Sequence, residues 1–173
     1  MIIDDPESHF IFVYHPLVIM GKKYTVYKGR ELTNGEILKY WGKWIVLGDR
    51  PWLDDLAQKL DQYVEEKKIP CVKYDRNPSA NLGISECVMM VYCDRRNRDE
   101  VWNILGHFGV KFKAWVTEED TMNMWLPGGL LLERWLASKG FEQAAKEAAR
   151  EDSRQRLNYL RENPDEVFSP WEQ

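Results

Sequence analysis

The hydrophobic positions of residues 43–117 follow two periods, which predict the order strand, helix, strand, loop, strand, helix, strand. Residues 43–48 (KWIVLG) are apolar on both faces, as is typical of a central strand. The next segment carries apolar residues at helical spacing from Trp52 to Val64, behind a capping Asp49 and a Pro51 in the first turn. These signals predict a central strand that leads into a long amphipathic helix.

The second half of this stretch repeats the arrangement. Residues 71–75 and 86–93 predict two strands, and the second of them (ECVMMVYC) is apolar on both faces. Asn97 and Glu100 have the spacing of a capping box, a buried stripe begins at Val101, and Gly109 is placed to end the helix. Two further strands and a second helix are therefore expected.

Residues 111–117 (KFKAWVT) alternate strictly and predict the last strand, with Lys111, Lys113 and Trp115 on one face. A β-α-β-β-α-β order predicts an α+β fold with an antiparallel or mixed sheet and both helices on one side. These two lysines and Trp115, together with Lys73 of the strand over residues 71–75, are expected to project from the opposite side. That second face is where a ligand is expected.

Further elements flank this core. Residues 9–15 (HFIFVYH) and 23–27 (KYTVY) predict two N-terminal strands or a hairpin, and Thr33 with Glu36 has capping-box spacing. The chain becomes helical after Trp125, and its last helical segment is rich in alanine and charge. We therefore expect a single α+β domain over residues 1–125. Residues 126–173 are expected to form a C-terminal helical extension that packs on this domain or on a partner.

Composition narrows the function. The 173 residues are 44% hydrophobic and 30% charged, with a net charge of −4, which argues against a protein that coats nucleic acid by bulk electrostatics. Thirteen per cent of the residues are aromatic, and eight are tryptophan, so that stacking surfaces or an aromatic core are expected. Any phosphate site must be local.

The cysteines and histidines predict neither a disulfide nor a metal centre. Three cysteines without C-x-x-C spacing lie in apolar runs, which is typical of buried reduced thiols. Three histidines lack the short paired spacing of metal ligands. No cofactor is implied. No secretory signal and no membrane-spanning run is visible, so a cytoplasmic protein without membrane attachment is expected.

The segments GKWIVLG, WLDDLAQKLDQYVEE, VKYDRNPS and CVMMVYCDRRNRDEVWNILGHFGVKFKAWVTEEDT resemble the family typified by basophilic leukemia expressed protein. The resemblance covers residues 40–125. It implies a fold similar to that of translation initiation factor 4E, an α+β fold with a curved antiparallel sheet. That factor holds a charged purine between Trp rings and its phosphates with Arg and Lys. The factor's pair of Trp residues with a nearby Glu has no counterpart at matching spacing, so no cap-binding residue is transferred.

Cations beside aromatic rings are the candidate ligand-binding residues, because a ring can stack on a base while cations hold phosphate. Three arginines come just after the ends of predicted strands: Arg76, Arg95 and Arg96. Gly42 lies between Trp41 and Trp44, and these two rings can form a slot in which a base stacks. The full set is Lys73, Arg76, Arg95, Arg96, Lys113, Trp115 and Trp41. In the alternative interpretation the termini cover the sheet, Trp44 and Trp115 are core residues, and acidic neighbours neutralise the arginines.

The sequence thus predicts a binding protein, rather than an enzyme, for a nucleotide-like or phosphorylated ligand or RNA near Lys73, Arg76 and Arg95. One alternative is phosphate elimination, in the manner of the phosphothreonine lyases to which the resembled family has been likened. Lys73 would be the base, His107 the acid, and Arg76 and Arg95 the phosphate cradle. The other alternative is a homodimer or a protein complex formed through the C-terminal helices.

Overall fold

The computed structural model describes residues 1–80 and 83–170 as a mixed α+β structure built on a six-stranded antiparallel sheet. The strands are β1 (Ile2–Ile3), β2 (Phe10–Tyr14), β3 (Val26–Tyr27), β4 (Arg30–Glu31), β5 (Trp41–Gly48), β6 (Cys71–Asp75), β7 (Cys87–Asp94) and β8 (Trp115–Thr117). The helices are α1 (Pro16–Ile19), α2 (Asn34–Tyr40), α3 (Arg50–Glu65), α4 (Arg98–His107), α5 (Glu118–Met124), α6 (Leu130–Lys139) and α7 (Gln143–Glu162). Strands β3 and β4 form a separate two-stranded sheet.

The main sheet has the strand order β1-β2-β6-β7-β5-β8, and every neighbouring pair is antiparallel. Strand β7 lies between β5 and β6, so helix α3 connects two strands that are not neighbours, as in a split β-α-β unit. The predicted α+β class and β-α-β-β-α-β order are confirmed. The N-terminal strands β1 and β2 extend the sheet beyond β6.

Helices α3 and α4 cover one side of the sheet. Alternate strand residues point to this side, because side chains on a strand have a period of two. The main core contains Ile11, Val13, Trp44, Val46, Val72, Tyr74, Met89 and Val91 from the strands, and Leu53, Leu56, Leu60, Val64, Val101 and Leu105 from the helices. The indole Nε1 of Trp44 donates a hydrogen bond to the carbonyl of Arg98 at 2.9 Å. Trp44 is thus a core residue.

A second core lies on the other side of the sheet, at one end. Its buried residues are Leu32, Ile37, Trp41, Met122, Leu157, Leu160 and Phe168. Two of them, Leu157 and Leu160, come from the C-terminal half of α7. The last helix therefore packs on the α+β domain at Trp41, and buried apolar area holds it there.

The predicted helix caps have different outcomes. Thr33 and Glu36 form the expected capping box, and the Asp49 side chain accepts the Trp52 N–H at 2.9 Å. The predicted box at Asn97 is wrong, because a 3-10 turn over Arg95–Asn97 leads into α4 and takes Asn97 out of the extended conformation that a cap needs. Asp94 caps that turn instead by accepting the Arg96 N–H.

Two strand predictions are corrected. Residues 9–15 and 23–27 do contain strands, but β2 pairs with β1 and β6 whereas β3 pairs with β4, so they form no common hairpin. In residues 111–117 only Trp115–Thr117 is a strand. Trp115 pairs with Trp44 of β5, so its side chain points to the helix side rather than away from it. The three cysteines are free and buried, as expected.

Candidate functional site

The sheet side opposite α3 and α4 is closed at one end and open at the other. Along β5, the residues on this side become steadily more exposed: Trp41 is 2% exposed, Lys43 5% and Leu47 43%. The second core and α5 close the end at Trp41. We call this surface the open face; it comprises Phe10, Phe12, Tyr14, Lys73, Val88, Met90, Tyr92, Ile45 and Leu47, with Lys43 at its closed end.

An aromatic row runs along the open face on β2. Phe12 and Tyr14 are stacked, with ring centroids 5.1 Å apart and planes 17° apart. Tyr24 stacks in turn on Tyr14 at 5.7 Å, and Phe10 meets Phe12 edge-on at 6.3 Å. All four residues are half-buried, so the row as a whole keeps accessible aromatic surface.

Two lysines lie among these rings. The Lys73 Nζ is 3.7 Å from the ring centroid of Phe10. The Lys43 Nζ is 3.2 Å from Oε2 of Glu118 and 5.2 Å from the ring centroid of Tyr92. Burial, reinforced by the nearby Lys43 cation, lowers the pKa of Lys73 to about 8. Two ammonium groups thus share a poorly hydrated region.

Hydroxyl and thiol groups complete the closed end. Burial raises the pKa values of Tyr14, Tyr24 and Tyr92, so these phenols stay protonated and can donate hydrogen bonds. Burial also raises the pKa of the Cys71 thiol, which makes it unreactive. On the same strand, Asp75 accepts the Val88 N–H at 3.0 Å towards the open end. The closed end therefore presents the Lys43 cation and several donors, opposed by the Glu118 carboxylate, whereas the Lys73 ammonium lies against Phe10 towards the open end.

Of the predicted ligand-binding residues, Lys73 alone lies on the accessible part of this face. Trp41 is buried in the second core and stacks on Tyr92 at 6.4 Å, so it offers no slot for a ligand. Trp115 lies on the helix side, 5.2 Å from Trp44 between ring centroids. Lys113 lies on that side too, with its Nζ 5.7 Å from the Trp44 ring. The expectation that Lys113 and Trp115 share a face with Lys73 is wrong.

The predicted arginines serve other contacts. The Arg76 guanidinium binds the Asp4 carboxylate at 2.5 Å and donates hydrogen bonds to the carbonyls of Ser8 and Asp5. Arg76 therefore binds the N-terminal segment of the chain. Arg96 forms two hydrogen bonds with Asp94, and its guanidinium carbon lies 3.9 and 4.0 Å from two tyrosine ring centroids. Its charge is already compensated.

Arg76 and Arg95 lie at opposite ends of the sheet. Because Cys71 pairs with Tyr92 in antiparallel register, the two arginines are eight strand positions apart, or about 25 Å. Arg95 is exposed beside Tyr40, 5.9 Å from its ring centroid. A single phosphate site built from Lys73, Arg76 and Arg95 is therefore excluded by the register.

The structure brings together residues that sequence reasoning missed: Phe10, Phe12, Tyr14, Tyr24, Lys43, Tyr92 and Glu118. The alternation in HFIFVYH does place Phe10, Phe12 and Tyr14 on one face, so that signal was present. Lys43 and Glu118 are 75 positions apart, and no local pattern connects them. Their pairing depends on the register of β8 with β5, which sets Val116 opposite Lys43 and brings Glu118, the first residue of α5, close to it.

The catalytic arrangement considered for phosphate elimination is not assembled. His107 ends α4 on the helix side of the sheet, whereas Lys73 is on the open face. An acid and a base on opposite sides of a sheet cannot act on one substrate. Among residues 1–80 and 83–170, no three His, Cys, Asp or Glu side chains gather as metal ligands. In the same ranges, no helix has the length and apolar character needed to cross a membrane.

Two clefts lie on the surface, and the first is lined in part by Ile45 and Leu47 of the open face. One of about 360 Å³ is lined by Leu47, Trp52 and Phe112 among others, and one of about 540 Å³ by Asn34, Arg156 and Glu166 among others. Neither contains Lys43 or Lys73. The half-exposed aromatic row suits a ligand that stacks on rings.

Comparisons with known proteins give no relative. No family model matches the chain, and no curated protein and no solved structure matches it. The resemblance to the basophilic leukemia expressed protein family, and the fold similar to initiation factor 4E, therefore stay predictions. The functional argument depends on the site itself.

Proposed function

We propose that the open face binds a phosphorylated ligand with a planar ring, such as a nucleotide or short RNA. The observation that carries the proposal is the position of Lys73 against Phe10 in the aromatic row Phe10, Phe12 and Tyr14, with Lys43 against Tyr92 farther across the same face. A base can stack on the row while the ammonium groups hold phosphate. No activity that makes or breaks a bond is needed for this role.

The proposed recognition is local. With a net charge of −4, the chain has no general attraction for nucleic acid. Only two lysines are proposed to contact phosphate, so binding should release about one or two counterions. The affinity for the ligand should therefore fall only slightly as the salt concentration increases. A steep salt dependence would indicate a different and more extended basic surface.

The test is a titration with the four nucleoside 5′-monophosphates and a short single-stranded RNA, followed by Trp fluorescence. Trp41 stacks on Tyr92 of the open face and is therefore a reporter close to the site. Lys73→Ala and Phe12→Ala should each weaken binding about tenfold, which is the loss of one charged or stacked contact. Lys113→Ala is the matched control, because Lys113 lies on the other side of the sheet. A wild-type protein without saturable binding contradicts the proposal.

A second candidate function is self-association through the C-terminal helices. Trp125, Trp135 and Phe141 form an edge-to-face aromatic cluster, and each is 37–38% exposed. Exposed Trp residues of this kind are typical of interface hot spots. Sedimentation of wild type and Trp135→Glu tests it: a dimer that the substitution dissociates supports a homodimer, whereas a wild-type monomer contradicts it. Truncation is a poorer test, since Leu157 and Leu160 belong to the second core.

We further propose a cytoplasmic location. Three buried cysteines remain free thiols, and such thiols are usual in reducing compartments. Fluorescence imaging of the tagged chain, combined with cell fractionation, checks this location. Recovery of the protein from the medium outside the cells would contradict it.

A further inference from the structure

One edge of the central strand β5 is only partly paired. Strand β7 pairs with β5 along its whole length. On the other edge, β8 pairs only with residues 42–44, and one further hydrogen bond joins the Ile45 N–H to the carbonyl of Ala114 at 2.9 Å. In the part of the chain that the structure describes, residues 46–48 therefore have no strand beside them on this side. We call these three residues the free edge.

The free edge presents the backbone N–H and C=O of Leu47. In an antiparallel sheet, the backbone groups of successive residues point to the two edges of a strand in turn, so those of Leu47 point the same way as the Ile45 N–H, away from β7. Val88, the partner of Leu47 on β7, donates its own N–H to the Asp75 carboxylate instead. Within residues 1–80 and 83–170, the backbone of Leu47 makes no hydrogen bond, so one donor and one acceptor are available.

The cleft of about 360 Å³ lies beside the free edge. It is lined by residues 45–47 of β5, by residues 109–112, and by Trp52 and Glu86. Two large apolar side chains border it and are exposed, Leu47 at 43% and Phe112 at 72%. Unpaired backbone groups next to exposed apolar side chains are the features by which a sheet edge accepts an additional strand. The cleft therefore provides both the hydrogen-bonding groups and the apolar surface that an extended peptide requires.

The charges around the cleft favour an acidic peptide. Lys111 lines the cleft and Lys113 follows two residues later; both are exposed, and neither forms an ion pair with another described residue. Glu86 is the one carboxylate among the lining residues. The local charge is therefore positive, although the chain as a whole is negative, and an acidic side chain next to Lys111 gains attraction.

We propose that the free edge binds an extended peptide segment of a partner protein, with apolar residues flanked by an acidic one. The segment adds a strand beside β5, in the place that a longer β8 would occupy. Its backbone exchanges hydrogen bonds with the N–H and C=O of Leu47, its apolar side chains pack on Leu47 and Phe112, and its carboxylate pairs with Lys111. This interaction is separate from the ligand proposed for the open face.

Hydrogen exchange of the free protein tests whether the edge is vacant. The amide of Leu47 should exchange at least about a hundredfold faster than that of Val46, whose N–H points to β7. A protected Leu47 amide in dilute protein overturns the proposal, because the chain's own residues 111–114 then occupy the edge. Protection that appears only as the protein concentration increases also overturns it, because a second copy is then the occupant.

Binding is measured by NMR titration of the full chain with the capped peptide Glu-Val-Leu-Val-Glu, and with Lys-Val-Leu-Val-Lys as the charge control. We expect saturable shifts of the Leu47 and Phe112 amides, and about three- to tenfold weaker binding of the lysine peptide. Absence of saturable shifts with both peptides overturns the proposal. Tighter binding of the lysine peptide overturns the acidic partner.

The variant Leu47→Pro tests the backbone contact. Proline removes the N–H that points to the free edge and leaves the hydrogen bonds to β7 in place, so the chain should still fold. Binding of the acidic peptide should weaken about tenfold relative to Leu47→Ala, the matched control, which shortens the side chain but keeps the N–H. Equal affinities of the two variants overturn strand addition. If Leu47→Pro does not fold, the Leu47 amide of the wild type decides: its exchange must slow when the acidic peptide is added, and unchanged exchange overturns the proposal.

Discussion

The indole of Trp115 lies against the Cα of Gly42, where β8 pairs with β5. A β-carbon at residue 42 would overlap the six-membered ring of Trp115 and crowd the carbonyl of Val116. Gly42 thus allows the close approach of a tryptophan, as its position between two Trp residues suggested. The approaching ring, however, is part of the core and not a ligand.

Gly42→Ala should therefore destabilise the protein. The added methyl group must displace the Trp115 ring, and overpacking of this kind costs about 1–3 kcal/mol of unfolding free energy. Urea denaturation measures the loss. Gly106→Ala is the control, since nothing lies within 4 Å of its new β-carbon and alanine favours a helix over glycine. Equal stability of Gly42→Ala and wild type would contradict the packing described.

Arg96 should be structural, although its sequence context suggested a phosphate contact. Arg96→Ala leaves the Asp94 carboxylate, which is 1% exposed, without its guanidinium partner. We expect a loss of about 3 kcal/mol in unfolding free energy, because an unpaired buried charge is costly. Arg95→Ala, at the exposed neighbouring position, should change stability by less than about 0.5 kcal/mol. Similar effects of the two substitutions would count against this role.

The depressed pKa of Lys73 should make stability depend on pH. The group has a pKa of about 8 in the folded protein and a higher value when unfolded. Between these values the unfolded chain binds more protons, so this lysine makes stability rise as pH increases from about 8 to 10.5. The titratable groups that act on the pKa of Lys73 include Lys43, Glu118, Cys71 and Asp75.

Lys73→Met removes this contribution. The variant should be about 2–3 kcal/mol more stable than wild type at pH 7, and the difference should shrink as pH increases towards 10.5. Urea titrations at several pH values, analysed as the difference between the two proteins, cancel the titration of shared groups. A constant difference across this range would show that the Lys73 pKa is ordinary.

The C-terminal helix should contribute to the stability of the whole chain. Leu160→Ala opens a cavity in the second core beside Trp41, and truncation of a buried leucine costs about 2–5 kcal/mol. Leu130→Ala, at a position 54% exposed, is the control and should have little effect. Unfolding monitored by Trp fluorescence measures both. If Leu160→Ala is as stable as wild type, α7 does not pack on the domain as described.

Local features of the sequence predicted much of the fold. The two segments that are apolar on both faces form the central strands β5 and β7. The segment after Asp49, with apolar residues at helical spacing, forms α3. The capping boxes illustrate the limit of such signals. The Thr33 box formed, whereas the Asn97 box was replaced by a turn that Asp94 begins. Both motifs have the same spacing, so the conformation of the preceding chain decided the difference.

The candidate site was predicted only in part. Alternation along a strand assigns residues to two faces, but it does not say which face is inside. Trp115 and Lys113 were correctly grouped, yet the pairing of Trp115 with Trp44 turned both to the helix side. The placement of Lys73 on the open face was correct.

The sequence by itself determined the order of the elements and the buried stripes, because these depend on residues close together in the chain. Tertiary structure decided which cations share a site. The antiparallel register of β6 and β7 separated Arg76 from Arg95, and the register of β8 with β5 joined Lys43 to Glu118. Such partners lie tens of residues apart, and their approach depends on strand register and on which distant segment covers each face.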